Sequence, residues 1–165
     1  MNNKIFLSIE FVNNIPTEGK PNKIKDIFGY HHCPSDILGS LDEYYDTFKK
    51  KEQNNAKKKV FDGNIIYVTI DYSLTNKAVL KFTSNVPVTY GLLLYAYTMA
   101  YQLVYKTEDE DVGTPTGHIP GMLNRAKSNG RFGIWGHDIG DLVYNGNSCI
   151  SIFDNHVICY FLCDS

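Results

Sequence analysis

Arginine is nearly missing from this chain. Of 165 residues only Arg125 and Arg131 are arginine, against 14 lysines. Arginine is the usual reader of base edges, and the net charge is −2, so no nucleic-acid partner is expected. Six lysines crowd into 49–59, but without arginine they read as a solvated helix end and loop. The lysine bias and 15 asparagines point to an AT-rich coding genome, which bears on source alone. Recognised catalytic and phosphate motifs are missing too: there is no GxSxG elbow, kinase set, P-loop or dinucleotide fingerprint. Neither CxxC nor HExxH occurs. Cys159 and Cys163 share a strand face but lie roughly 13 Å apart along it, too far for one zinc. His31-His32-Cys33 is compact, yet adjacent residues rarely chelate one ion together. Neither metal nor other cofactor is therefore expected. The N-terminal apolar run is short and broken by Ser8 and Glu10, unlike a signal peptide. The four cysteines (Cys33, Cys149, Cys159, Cys163) are accordingly expected as free thiols in a reducing, cytoplasmic setting.

What is present is ordinary globular material, 43% apolar and 21% charged, with many aromatics: 12 Tyr, 9 Phe and one Trp. The length suits a single domain over residues 1–165. Ile5, Leu7, Ile9 and Phe11 alternate with polar residues, a half-buried strand. Residues 13–34 read as an irregular loop rich in Pro and Gly. Ser40 with Glu43 forms a capping box that opens a helix running to about Gln53, with Lys49–Lys51 in its last turn. Val60–Tyr72 and Lys77–Thr83 read as a hairpin around Leu74-Thr75-Asn76. The C-terminal part reads as a meander of Asp141–Tyr144, Ser148–Phe153 and His156–Cys163, with turns at Asn145-Gly146 and Asp154-Asn155.

From Phe82 to Tyr105 no residue is charged. That approaches membrane-span length, but Pro87, Asn85, Thr98 and Gln102 interrupt it, and Tyr95 and Tyr97 fall mid-run instead of at interfacial belts. A buried helix starting near Pro87 is the better reading, so no membrane partner is expected. Its polar residues, Gly91, Thr98 and Gln102, make a narrow wedge, so the helix needs apolar cover on two sides. The sheet supplies one; the other is the Ser40 helix, a long loop or a second copy. The order of elements predicts an α+β fold: a mainly antiparallel sheet on a buried Tyr-rich central helix, with a C-terminal β-meander.

Between helix and meander lies the segment 108–140, long and almost without periodicity apart from a possible short helix at Pro120–Lys127. Connections of this length are often functional. It carries seven glycines, the only Trp, both Arg and two of the five His. It opens on four acids, Glu108–Asp111, which oppose the helix macrodipole. Either the helix stops near Tyr105 or the acids have a partner. A divalent cation, solvent or the basic residues further on could serve. Arg125, Lys127 and Arg131, with Asn124 and Trp135 among them, could hold an anion through guanidinium forks and backbone amides. Finally, His137 and Asp141 fall on one face whether the chain is helical or extended, with Asp138 beside them and His118 as a second imidazole. One His and one carboxylate are the minimum for general acid–base work. They serve equally as a buried His and a turn-capping Asp.

Gly117–Arg125 (GHIPGMLNR) and Phe132–Ile139 (FGIWGHDI) resemble segments of uncharacterised small proteins of giant DNA viruses of protists, over the last half of the chain. The resemblance implies a viral source, hence host cytoplasm or virion, and brings no activity with it. Two functions follow from the residues themselves. The first is a non-enzymatic binding or assembly module, a homo-oligomer or partner-bound subunit, that uses the 108–140 loop and an aromatic surface. The second is a hydrolase of phosphate or ester substrates. There His137 would be the base, Asp138 or Asp141 its orienter, and Arg125 or Arg131 the anion clamp.

Overall fold

The computed structural model of the chain describes residues 5–16, 21, 23–25, 32–113, 124–125 and 127–165, the side chains of 23–25 and 124–125 excepted. In chain order the elements are strands β1 (Phe6–Phe11) and β2 (Lys23–Lys25), helices α1 (Leu41–Asp46) and α2 (Gln53–Ala56), strands β3 (Lys59–Phe61), β4 (Ile65–Ile70), β5 (Ala78–Ser84) and β6 (Val88–Thr89), helix α3 (Tyr90–Val112), strands β7 (Asn124–Arg125) and β8 (Gly136–His137), a 3₁₀ turn (Ile139–Asp141), and strands β9 (Val143–Ile152) and β10 (Val157–Asp164). Six strands form one sheet in the order β1-β5-β4-β10-β9-β2. Only β10 on β4 is parallel; the other pairings are antiparallel. The expected α+β class, with a mainly antiparallel sheet on a buried Tyr-rich helix, is what the chain adopts.

Alternation decides which face of the sheet is covered. Ile66, Val68 and Ile70 of β4, Leu80 and Phe82 of β5, and Val157, Cys159 and Phe161 of β10 are buried and line the face under α3. The uncharged run does form the central helix, but it begins at Tyr90. Thr89 is its N-cap, its hydroxyl accepting from the Leu92 amide at 3.1 Å. Pro87 lies ahead of it, and Val88-Thr89 pair with β3 instead.

Each residue of the polar wedge has an intrachain answer. At Gly91 an added Cβ would stand 2.6 Å from the Tyr45 ring. Thr98 shares a 2.7 Å hydrogen bond with the Tyr144 hydroxyl. The Gln102 amide donates to the carbonyls of Pro34 and Asp36 at 3.0 and 2.7 Å. The side away from the sheet is thus covered by α1, α2 and the segment before them. Two further buried tyrosines of α3 are paired as well. Tyr97 donates to the Thr69 carbonyl and Tyr95 to that of Gly39, both at 2.7 Å. Much of the tyrosine surplus therefore serves the core, since a buried hydroxyl needs a partner.

Several local readings are corrected. The Ser40 helix ends at Asp46, not near Gln53. Its Ser40 cap is in place, at 3.1 Å from the Glu43 amide. Thr47 then turns its hydroxyl onto the Tyr44 carbonyl, and Phe48 is drawn into the core against His32. This leaves Lys49–Lys51 in a turn. Val60–Tyr72 is two strands, broken at Asp62–Asn64, with β3 leaving the main sheet. Within the supposed 13–34 loop, Lys23–Lys25 forms an edge strand on β9. Asn145-Gly146 is no turn: β9 runs through it as a bulge. Phe161 pairs with Ser148 and Cys163 with Tyr144, and Gly146 takes φ 88°. At Asn124–Arg125 the chain is extended against Gly136–His137, not helical; the rest of the expected Pro120–Lys127 helix lies outside the described residues, except Lys127.

Candidate functional site

The four acids are the place to start. The helix does not stop at Tyr105; it carries Glu108 through Asp111 to Val112 and closes on Gly113. Glu108 is wholly buried. Its carboxylate accepts from the Ser128 hydroxyl and from the amides of Gly130 (2.9 Å), Phe132 (2.9 Å) and Gly133 (3.1 Å). Burial by itself would raise this carboxyl, but these donors outweigh it and hold the group below the ordinary glutamate range. Asp111, one turn on, binds Arg131. The guanidinium meets both carboxylate oxygens at 2.8 and 2.9 Å, and the Arg131 amide adds a bond of 3.1 Å. The pairing lowers the Asp111 carboxyl and raises the guanidinium. Two of the acids therefore find their partner in the basic half of the same segment.

Residues 128–137 are held on a second side by the β4–β5 turn. The Thr75 amide donates to the carbonyls of Phe132 and Gly133, and the Asn76 amide to that of Phe132, at 2.9–3.0 Å. The Trp135 amide donates to the Ser73 carbonyl at 2.9 Å, and Leu74 bridges Ile134. Tyr105 of α3 bonds Ser73 Oγ at 2.9 Å and donates to the His137 carbonyl at 3.0 Å. At Gly130 a side chain is excluded: a Cβ would collide with the Glu108 carboxyl, whose Oε2 would lie at 2.8 Å. A stretch without periodicity is thus clamped by one buried carboxylate and one turn.

This clamp presents an aromatic cluster. Trp135 is 41% exposed. Tyr72 meets it edge-on at 5.9 Å between ring centroids and stacks on the His137 ring at 6.1 Å. Trp135 and His137 are 6.3 Å apart. Tyr72 is tied by its hydroxyl to Ser165 Oγ at 2.9 Å. Beside it Tyr160 donates to Asp71 Oδ1 at 2.9 Å, and burial together with Asp71 pushes its hydroxyl up to about 12.

Of the residues singled out from sequence, Trp135 and His137 come together. Asp138 and Asp141 frame the 3₁₀ turn after β8, where Asp141 accepts from the Asp138 amide at 3.0 Å. Arg131 stands on the other side of the clamp, on Asp111. The backbones of Asn124 and Arg125 pair with those of His137 and Gly136; their side chains, and His118 altogether, lie outside the described residues. Tyr72, Ser73 and Glu108 were missed as site builders. Tyr72 and Ser73 sit in an unremarkable hairpin turn. Glu108 was seen only as one acid of four, though its i, i+3 spacing to Asp111 puts both on one helix face. His32 is buried, bonded to Thr47 Oγ1 at 2.8 Å and packed on Phe48. Among the described residues no cluster of three or more metal-ligating side chains occurs, and no helix is long and apolar enough to cross a membrane. Neither a family model, nor a curated protein, nor a solved structure matches the chain.

Proposed function

We propose that the protein is a non-enzymatic binding or assembly module that contacts a protein partner through Tyr72, Trp135 and His137. The observation that carries this is the half-exposed Trp135 on a backbone bonded to Ser73 and clamped through Glu108. A large aromatic anchor held in place before contact loses little entropy on binding, and Trp is enriched at binding hot spots. The hydrolase alternative draws less support, because the Asp141 carboxylate is used on its own turn and the His137 ring packs on Tyr72 and Trp135. Four free thiols support a reducing, cytoplasmic setting. The resemblance to giant-virus proteins extends that to host cytoplasm or virion.

Trp135 is the only Trp, so its fluorescence reports on this surface alone. Peptides selected for binding to the parent are titrated against the parent and Trp135→Ala. Ligands that shift the Trp135 emission and bind the variant about tenfold or more weakly support the proposal. Ligands that bind both proteins equally overturn it.

A further inference from the structure

Strand β1 is the outermost strand of the sheet, and among the described residues it pairs only with β5. Its register shifts between Phe6 and Ser8, and from Ser8 to Phe11 the alternation is regular. The Val12 amide donates to the Val79 carbonyl at 2.9 Å. Bonding direction alternates along an antiparallel pair, so Glu10 also faces β5, while Ile9 and Phe11 turn their N–H and C=O groups to the open side. Ile9 stands beside Phe82 and Phe11 beside Leu80, so both side chains share the helix-covered face. They remain 38% and 40% exposed there. Ile9 and Phe11 therefore offer both open backbone groups and apolar side chains at one edge, as strand addition requires.

Charge narrows the occupant. A groove of about 1040 Å³ adjoins this edge, with Ile9, Leu38, Leu41 and Met99 in its apolar wall. The only charged side chains on it are Asp42 and Glu43, in the first turn of α1. Neither carboxylate is in an ion pair among the described residues. Glu43 leans over Gly39, where an added Cβ would collide with its carboxylate. Burial first, and then the charge of Glu43, raise the hydroxyl of Tyr95, which also lines the groove. Acids in a first turn complement the dipole of α1, which accounts for their place but leaves their charge uncompensated in the groove. An open strand edge selects an extended backbone, the wall selects apolar side chains, and the acids favour a cation and reject an anion. A second β1 does not meet that description, since its only charge is Glu10.

We propose that the β1 edge and this groove take an extended segment of a partner protein, with apolar side chains at alternate positions and a lysine or arginine beside them. This surface is distinct from the Trp135 cluster and does not depend on its role. The probe is a dye-labelled synthetic peptide with valine, isoleucine and leucine at alternate positions, threonine between them and lysine at both ends. Its counterpart carries glutamate at both ends instead. Fluorescence anisotropy with the full parent chain should show the lysine form binding about tenfold or more tightly at low salt, with the gap shrinking as salt is raised. Asp42→Asn/Glu43→Gln, shown to be folded by its thermal midpoint, should bring the two forms within about twofold of each other. N-methylation of the peptide reads the strand pairing. Alternate amides face β1 and face away, so methylating one set should abolish binding and methylating the other should spare it. A lysine form that does not bind up to about 1 mM overturns the proposal. Two forms that bind the parent equally overturn it, and so does binding indifferent to which set of amides is methylated. A parent that self-associates and thereby excludes the peptide also overturns it, in favour of a second copy.

Discussion

Glu108→Gln is the sharpest perturbation of this fold. The carboxylate has two oxygens and receives four donors, from Ser128, Gly130, Phe132 and Gly133. Glutamine keeps one acceptor oxygen and turns an NH2 group towards the remaining N–H groups. Three donors meet Oε2 and only the Phe132 amide meets Oε1, so at least that one bond is lost; a hydrogen bond to a charged group contributes about 1.5–3 kcal/mol, so the cost is at least that amount. For a domain of this size that lowers the thermal midpoint by roughly 3–12 °C. The pH dependence follows from linkage. The folded carboxyl lies below its unfolded value of about 4.3, so its contribution is fully present above that pH and is lost as pH falls through the lower folded value. The parent should therefore lose stability in acid more steeply than the variant. Calorimetry from neutral pH to about pH 3 measures both effects. Because Glu108 holds the Trp135 segment, the variant's native emission should also shift to the red and quench more readily. A variant melting within about 1 °C of the parent, with a parallel acid profile, would refute the claim that this carboxylate organises the segment.

Three further outcomes are expected. Gly130→Ala pushes a methyl group into the Glu108 carboxyl and should destabilise by about 1–3 kcal/mol, with much of the loss gone in a Glu108→Ala background, where the colliding atoms are removed, as a double-mutant cycle would read. Thr98→Val strips the buried Tyr144 hydroxyl of its 2.7 Å partner and should cost about 1–3 kcal/mol in denaturant unfolding, whereas Thr98→Ser keeps most of it. Exposed Cys149 should react first with a thiol reagent in the native state. Cys159 is buried and its thiol is raised by that burial, so it should react only on unfolding, which timed labelling with mass spectrometry resolves.

Much of the architecture was legible because it rests on periodicity. Alternation in Val157–Cys163 and the uncharged run are local patterns, and each became the element it suggested; Ile5–Phe11 is a strand too, but the register shifts between Phe6 and Ser8, and Phe6 is buried while Leu7, Ile9 and Phe11 are exposed. Failures came where long-range contacts overruled a local signal. Asn145-Gly146 is a sound hairpin dipeptide, yet β10 offers a continuous partner strand, and the chain keeps pairing through a bulge at Gly146. The Ser40 helix has residues fit to continue, but burying Phe48 against His32 ends it early.

The sequence by itself determined the class of fold and the buried helix, and it marked 108–140 as long, glycine-rich and without periodicity, because burial patterns and glycine density are written residue by residue. Only the tertiary structure decided what that segment does with its charges. Whether the acids meet solvent, a cation or a neighbouring loop depends on which donors arrive within hydrogen-bond distance, and those of Glu108 come from 20 to 25 residues away. The same holds for Trp135 and His137. Their neighbour Tyr72 belongs to a hairpin more than sixty residues earlier, and only docking of that turn onto residues 131–135 brings the rings together.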